Sequence, residues 1–156
     1  MQKPANYYFI FAAVMTFIGA VLHLSMIFGG PAWYRFFGAP EGLVALAAAG
    51  SIYPVFVCVF IASVLFTWSA YAFSGTEIIG KLPFLRTILT AVSILLIVRG
   101  VLFIPLMLIS PEIFRRITNS QSVDAFLIIT SMICLVAGLL LAAGLNKAWQ
   151  RLSLRK

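Results

Sequence analysis

The chain is poor in the residues from which a water-facing surface or a polar active site is built. Charged residues make up 10% of its 156 positions, acidic residues number only 4, and there is 1 histidine. A soluble domain of this length must carry its exterior in water and needs far more charge, so composition excludes one and points to the membrane as solvent. The two cysteines, Cys58 and Cys134, fall inside apolar runs and form no C-x-x-C pair. That excludes a four-helix quinone-linked disulfide oxidase, which must cycle paired thiols, and leaves both cysteines as small apolar residues. The acidic residues Glu41, Glu77, Glu112 and Asp124 all lie between the apolar runs. A small proton-coupled multidrug antiporter needs a carboxylate at membrane depth and is disfavoured for that reason. The sequence carries no phosphate loop, nucleophile–base pair or metal-ligand cluster, so no cofactor and no metal are expected.

What the chain has in quantity is apolar sequence, 63% of residues, with a mean hydropathy of +1.09. Four long runs stand out: Tyr7 to Phe28, Ile52 to Phe73, Phe84 to Ile109 and Ala125 to Leu145. Each meets the length of about 20 residues that an α-helix needs to cross roughly 30 Å of hydrocarbon. The expectation is an all-α membrane protein, one domain over residues 1–156, built as an up-down-up-down bundle of four transmembrane helices. A short outer helix is expected at 41–49, where the sequence is rich in Ala and Leu. Lys3 ahead of the first run imitates the start of a signal peptide, but no small-residue cleavage pattern closes the run, and it is read as a retained span.

The net charge of +7 has the distribution of topology signals, not of a nucleic-acid-binding face, and no nucleic acid is expected as a partner. Lys3, Lys81, Arg86, Lys147, Arg151, Arg155 and Lys156 flank the runs on one side, and only Arg35, Arg115 and Arg116 on the other. The positive-inside rule then puts both termini and the loop from Ser74 to Pro83 in the cytoplasm, and the connections 29–51 and 110–124 outside. Localisation follows as multi-pass in the inner membrane of a bacterial-type cell. The tail 146–156, with Trp149 and four cations, suits an interfacial anchor on anionic lipid, although a plain topology signal is the better explanation.

Helices pack in lipid through small residues that let backbones approach. Candidate contact stripes are Ala12, Thr16, Gly19 and His23 in the first span, Ser51, Cys58, Ala62 and Ser69 in the second, and Thr130, Cys134, Ala137 and Gly144 in the fourth. Gly19 and His23 are thereby expected at a helix contact, with His23 largely buried. Pro54 sits harmlessly in a first turn, whereas Pro105 inside the third span predicts a kink. Pro31 to Arg35 and Pro111 to Arg115 share the pattern Pro, any, apolar, aromatic, Arg. Five residues do not establish a duplicated hairpin, and chance explains the match better.

Two basic side chains fall deep inside spans, His23 and Arg99, and groups at membrane depth are functional candidates by default. Counting from the inner span ends places them at nearly the same level, in an outer-half polar layer with Cys58, Thr130 and Ser131. With no second histidine or span carboxylate, His23 reads as a packed, hydrogen-bonded residue and not as a metal ligand. Arg99 stays charged and has no partner on its own helix, so it is expected to face a polar cavity or the bundle interior, near His23, Glu41, Tyr53 or Thr130. The first outer connection, from Gly29 to Glu41, sets Trp33, Tyr34, Phe36 and Phe37 around Arg35, a composition for the headgroup region. Glu41 is its acidic residue, a candidate partner for Arg35 or Arg99 and equally well a solvated loop carboxylate. The ligand-binding candidates are therefore Arg99, His23, Glu41, Arg35, Tyr53 and Thr130, with no catalytic residue among them.

Two functions fit. The first is a non-enzymatic binding or accessory protein whose outer half recognises membrane lipids, a lipophilic small molecule or a membrane-protein partner. The second is a membrane enzyme or carrier for an amphipathic anion, a lipid phosphate or a quinone, held by Arg99.

Overall fold

The computed structural model describes residues 6–110, 112–113 and 125–154. The described elements are all helical: α1 (Tyr7–Phe36), α2 (Glu41–Ala48), α3 (Tyr53–Gly75), α4 (Leu85–Ile109) and α5 (Ala125–Leu154). Four of these, α1, α3, α4 and α5, are long and apolar enough to cross a membrane. At most 33% of the most apolar window of each is buried inside the bundle. The remaining surface is large and apolar, with Phe11, Phe28, Phe56 and Phe60 among its exposed residues, and only lipid solvates such a surface without cost.

α1 packs chiefly on α3, and α4 on α5, while contacts between α1 and α5 join the two pairs. Buried polar side chains register each pair. Ser69 Oγ donates to the Ala13 carbonyl at 2.9 Å, Ser93 Oγ to the Gly138 carbonyl at 2.8 Å, and Asn6 Nδ2 to the Gly144 carbonyl at 2.9 Å. The first residues of α1 thus lie against the last turns of both α3 and α5. This end of the bundle is called the terminal end below, and the opposite one the far end.

Phe9 is the fully buried pivot of the terminal end. Its ring fills the space beside Gly75 of α3 and Gly144 of α5, where a Cβ would come within 2.8 and 2.7 Å of ring carbons. α4 and α5 approach still more closely. A Cβ on Gly138 would lie 2.9 Å from the Ile97 backbone nitrogen, and one on Gly100 would lie 2.6 Å from Leu135 Cβ. Gly19, expected at the tight contact of α1, faces Leu65 at an ordinary 3.5 Å.

The helix boundaries differ from those drawn on the sequence, most of all in α1 and α5. α1 does not end at Phe28 but continues to Phe36 across a break at Gly30, whose φ of 63° and ψ of −158° are accessible to glycine alone. Pro31 then opens the second helical piece, a position where its missing N–H costs nothing. α2 forms where expected, ending one residue earlier. The basic tail does not begin a new element: α5 runs on to Leu154, because Leu145, Ala148 and Leu152 continue its buried stripe at helical spacing. Most of the connection 110–124, with Pro111, Arg115, Arg116 and Asp124 and so most of the second half of the sequence echo, lies outside the described residues, as do Lys3, Arg155 and Lys156.

Candidate functional site

The far end is capped by α2. Val44 of this short helix packs on Met26, Tyr34 and Cys58, and the helical piece after Gly30 turns Tyr34 inward so that it is buried. Cys58 Sγ lies 3.7 Å from Tyr34 Oη, joining α3 to that piece. On the outside of the cap, Arg35 Nε meets Glu41 Oε1 at 3.5 Å with both side chains well exposed. An exposed pair at that distance contributes little to stability. Tyr53 is exposed at the start of α3, its backbone N–H held by Ser51 Oγ at 3.3 Å.

The sequence-derived polar layer is not assembled as one site. His23 is half-buried rather than buried, and its Nδ1 lies 2.8 Å from the carbonyl of Gly19, one turn back on its own helix. That is the packed, locally bonded histidine expected for a ring without a metal partner set. Thr130 is half-buried. Glu41 is joined to Arg35. Among the described residues no cluster of three or more His, Cys, Asp or Glu is placed to hold a metal ion.

Arg99 is where the structure departs furthest from expectation. It lies on the exposed face of α4, flanked by exposed Leu95, Val98 and Leu102, while its neighbour Gly100 takes the buried position against Leu135. Its guanidinium carbon stands 5.3 Å from the Phe103 ring centroid, one turn toward the far end. The close approach of α4 to α5 explains the reversal. Only glycine fits where Leu135 touches α4, so Gly100 faces inward and the residue beside it is rotated out.

Its depth differs too. Gly144 rests on Phe9, and Leu135 on Gly100. At 1.5 Å per residue, Arg99 is then about 12 Å above the level of Phe9, and His23 about 21 Å above it. The common floor assumed from the sequence is absent, because α4 and α5 reach below α1. Arg86 Cζ stacks 3.8 Å from the Trp149 ring centroid, beyond Gly144 on α5. Lys147 Nζ completes a belt of cation–aromatic pairs, 4.6 Å from the Tyr8 ring centroid. The sequence reading missed both pairs, although Trp149 and Tyr8 beside basic residues at span ends are the composition of an interfacial belt.

Comparisons with protein-family models, with curated proteins and with solved structures find no match to this chain.

Proposed function

We propose that this is a multi-pass protein of a bacterial-type inner membrane, crossing it up-down-up-down with both termini in the cytoplasm, and that it serves as a non-enzymatic accessory subunit. Its partner is a membrane protein that presents a carboxylate-bearing helix to the exposed face of α4. The observation that carries the reading is Arg99 on that face, with Phe103 as its contact. With the Arg86–Trp149 and Lys147–Tyr8 pairs at one membrane interface, Arg99 stands roughly 15–20 Å from that belt, near the middle of a hydrocarbon layer of about 30 Å. A lipid-facing arginine there costs about 2.5–3.5 kcal/mol even on the translocon scale. A cation–π contact returns about 0.5–2 kcal/mol, which leaves a deficit. Leaning one turn toward Phe103, about 5.4 Å, still leaves the guanidinium in hydrocarbon and short of lipid phosphate.

A carboxylate on a neighbouring helix removes the deficit through a bidentate, charge-assisted pair. A second copy of this chain does not supply one, because its acidic residues Glu41, Glu77, Glu112 and Asp124 all lie outside the four apolar spans. The carrier or enzyme alternative, with Arg99 holding an amphipathic anion inside the bundle, loses its support when Arg99 faces out.

The test is a photoreactive amino acid at Val98 or Leu102, activated in native membranes. One protein adduct of defined mass is expected, lost in Arg99→Leu and kept in Arg99→Lys. Adducts to lipid alone, or a protein adduct indifferent to Arg99→Leu, would overturn the proposal.

A further inference from the structure

The belt at the terminal end offers a second feature, separate from the face of α4. On α5, Asn146, Lys147, Trp149 and Gln150 line an open depression of about 610 Å³. Asn146 and Gln150 are one turn apart and present their amides on one face, with Lys147 on one flank and the indole of Trp149 on the other. Among the described side chains, Lys147 and Arg86 both lie against aromatic rings. Lys147 Nζ donates to Tyr8 Oη at 3.3 Å, and Arg86 Cζ lies 3.8 Å from the Trp149 ring centroid with its Nε buried and, among the described residues, without a hydrogen-bond partner. The described salt bridge, Arg35 to Glu41, is at the opposite end of the molecule.

We infer that this depression binds the phosphate group of an anionic glycerophospholipid in the leaflet at the terminal end. Lys147 supplies the charge, the Asn146 amide donates to a phosphate oxygen, and half-exposed Trp149 is the apolar wall along which the first acyl carbons run. Arg86 adds a second positive charge behind the indole. Holding Lys147 on Tyr8 in advance lowers the ordering cost of forming the contact. Trp149 is also what separates a lipid from a free phosphate ion, which has no use for an apolar wall at headgroup level. This inference needs the chain to span a membrane but is independent of a partner helix at Arg99.

The experiment is native mass spectrometry of the detergent-purified chain exchanged into mixed micelles with equal phosphatidylglycerol and phosphatidylcholine. The wild type is expected to retain phosphatidylglycerol preferentially. Lys147→Gln is expected to lower that preference about fivefold, the effect of one cation at an anionic surface, and Lys147→Arg to restore it. Trp149→Leu, with its charges intact, should weaken retention of the lipid as well. Should Lys147→Gln fail to fold, exposed Asn146→Ala carries the same comparison. Equal retention of the two lipids by the wild type, or an unchanged preference in Lys147→Gln, would overturn the site. So would a rise in melting temperature produced as fully by millimolar inorganic phosphate as by phosphatidylglycerol, which would make it a free-phosphate site instead.

Discussion

Adding one methyl group at Gly138 should loosen the whole α4–α5 pair. The Cβ of Gly138→Ala would lie 2.8 Å from Ile97 Cγ1, 2.9 Å from the Ile97 backbone nitrogen and 3.1 Å from Leu96 Cβ. A side-chain tip could swing away, but a helix backbone cannot, so relief requires the helices to part by several tenths of an ångström. That gap lengthens the 2.8 Å bond from Ser93 Oγ to the Gly138 carbonyl and weakens dispersion along the seam of Leu89, Val92, Leu96, Ala137 and Leu141. A separation of 0.5–1 Å forfeits about a quarter to a half of the well for each atom pair, and overpacking of this kind costs about 1–3 kcal/mol. Gly19→Ala is the matched control. Its Cβ would meet Leu65 Cδ1 at 3.5 Å, which is ordinary contact. Helix propensity then makes it neutral or stabilising by up to about 1 kcal/mol. Thermal unfolding of both variants in mild detergent, followed by circular dichroism, reads the difference. Equal stability of Gly138→Ala and Gly19→Ala would refute the close approach of α4 to α5.

Three further outcomes are expected. Ser69→Ala and Ser93→Ala should each cost about 0.6 kcal/mol, the average for a hydrogen bond between membrane helices, and the two losses should add in the double variant, since the sites lie on different helix pairs; unfolding in detergent measures both. Phe9→Ala should cost about 3–5 kcal/mol, with the largest loss of protease resistance at the terminal end, where the ring fills the space between Gly75 and Gly144. A reporter fused after Lys156 should be active only if it functions in the cytoplasm, and activity of a periplasm-specific reporter there would reverse the proposed orientation.

The fold was legible because lipid imposes so few solutions. Any run of some 20 apolar residues with so little charge has to be a helix that satisfies its own backbone, so four spans followed from hydropathy alone. The short helix α2 was legible for a simpler reason, an Ala/Leu-rich segment opened by Pro40 and Glu41. Helix rotation was legible where small residues mark the contact face: Ala12 and Thr16 of α1, Cys58, Ala62 and Ser69 of α3, and Ala137 and Gly144 of α5 are buried as their stripes predict. The rotation of α4, which carries no such stripe, was not legible. In a soluble helix the polar face marks the outside, but here the outside is as apolar as the core, and the periodicity that orients a helix vanishes. His23 was placed inward by its stripe of small residues, and Arg99 by the cost of exposing a charge to lipid, a constraint that a neighbouring protein can also satisfy. What fixes the rotation of α4 is the contact of Gly100 with Leu135, and a lone glycine in a span does not announce which helix it meets. Depth failed similarly, since the first apolar residue of each run does not mark a common level once α4 and α5 extend below α1 to form the Arg86–Trp149 pair.

The most direct test of the proposed accessory role is native mass spectrometry of the untreated membrane extract in mild detergent, comparing the wild-type chain with Arg99→Leu. The wild type should appear as the 17.1 kDa chain bound to a second membrane protein at fixed stoichiometry. That complex should dissociate in Arg99→Leu while the variant keeps its helical content, and it should also dissociate when the partner's span carboxylate is replaced by its amide. A wild-type chain that travels alone or as a homo-oligomer, with the same phospholipids in both forms, would contradict the docking face on α4.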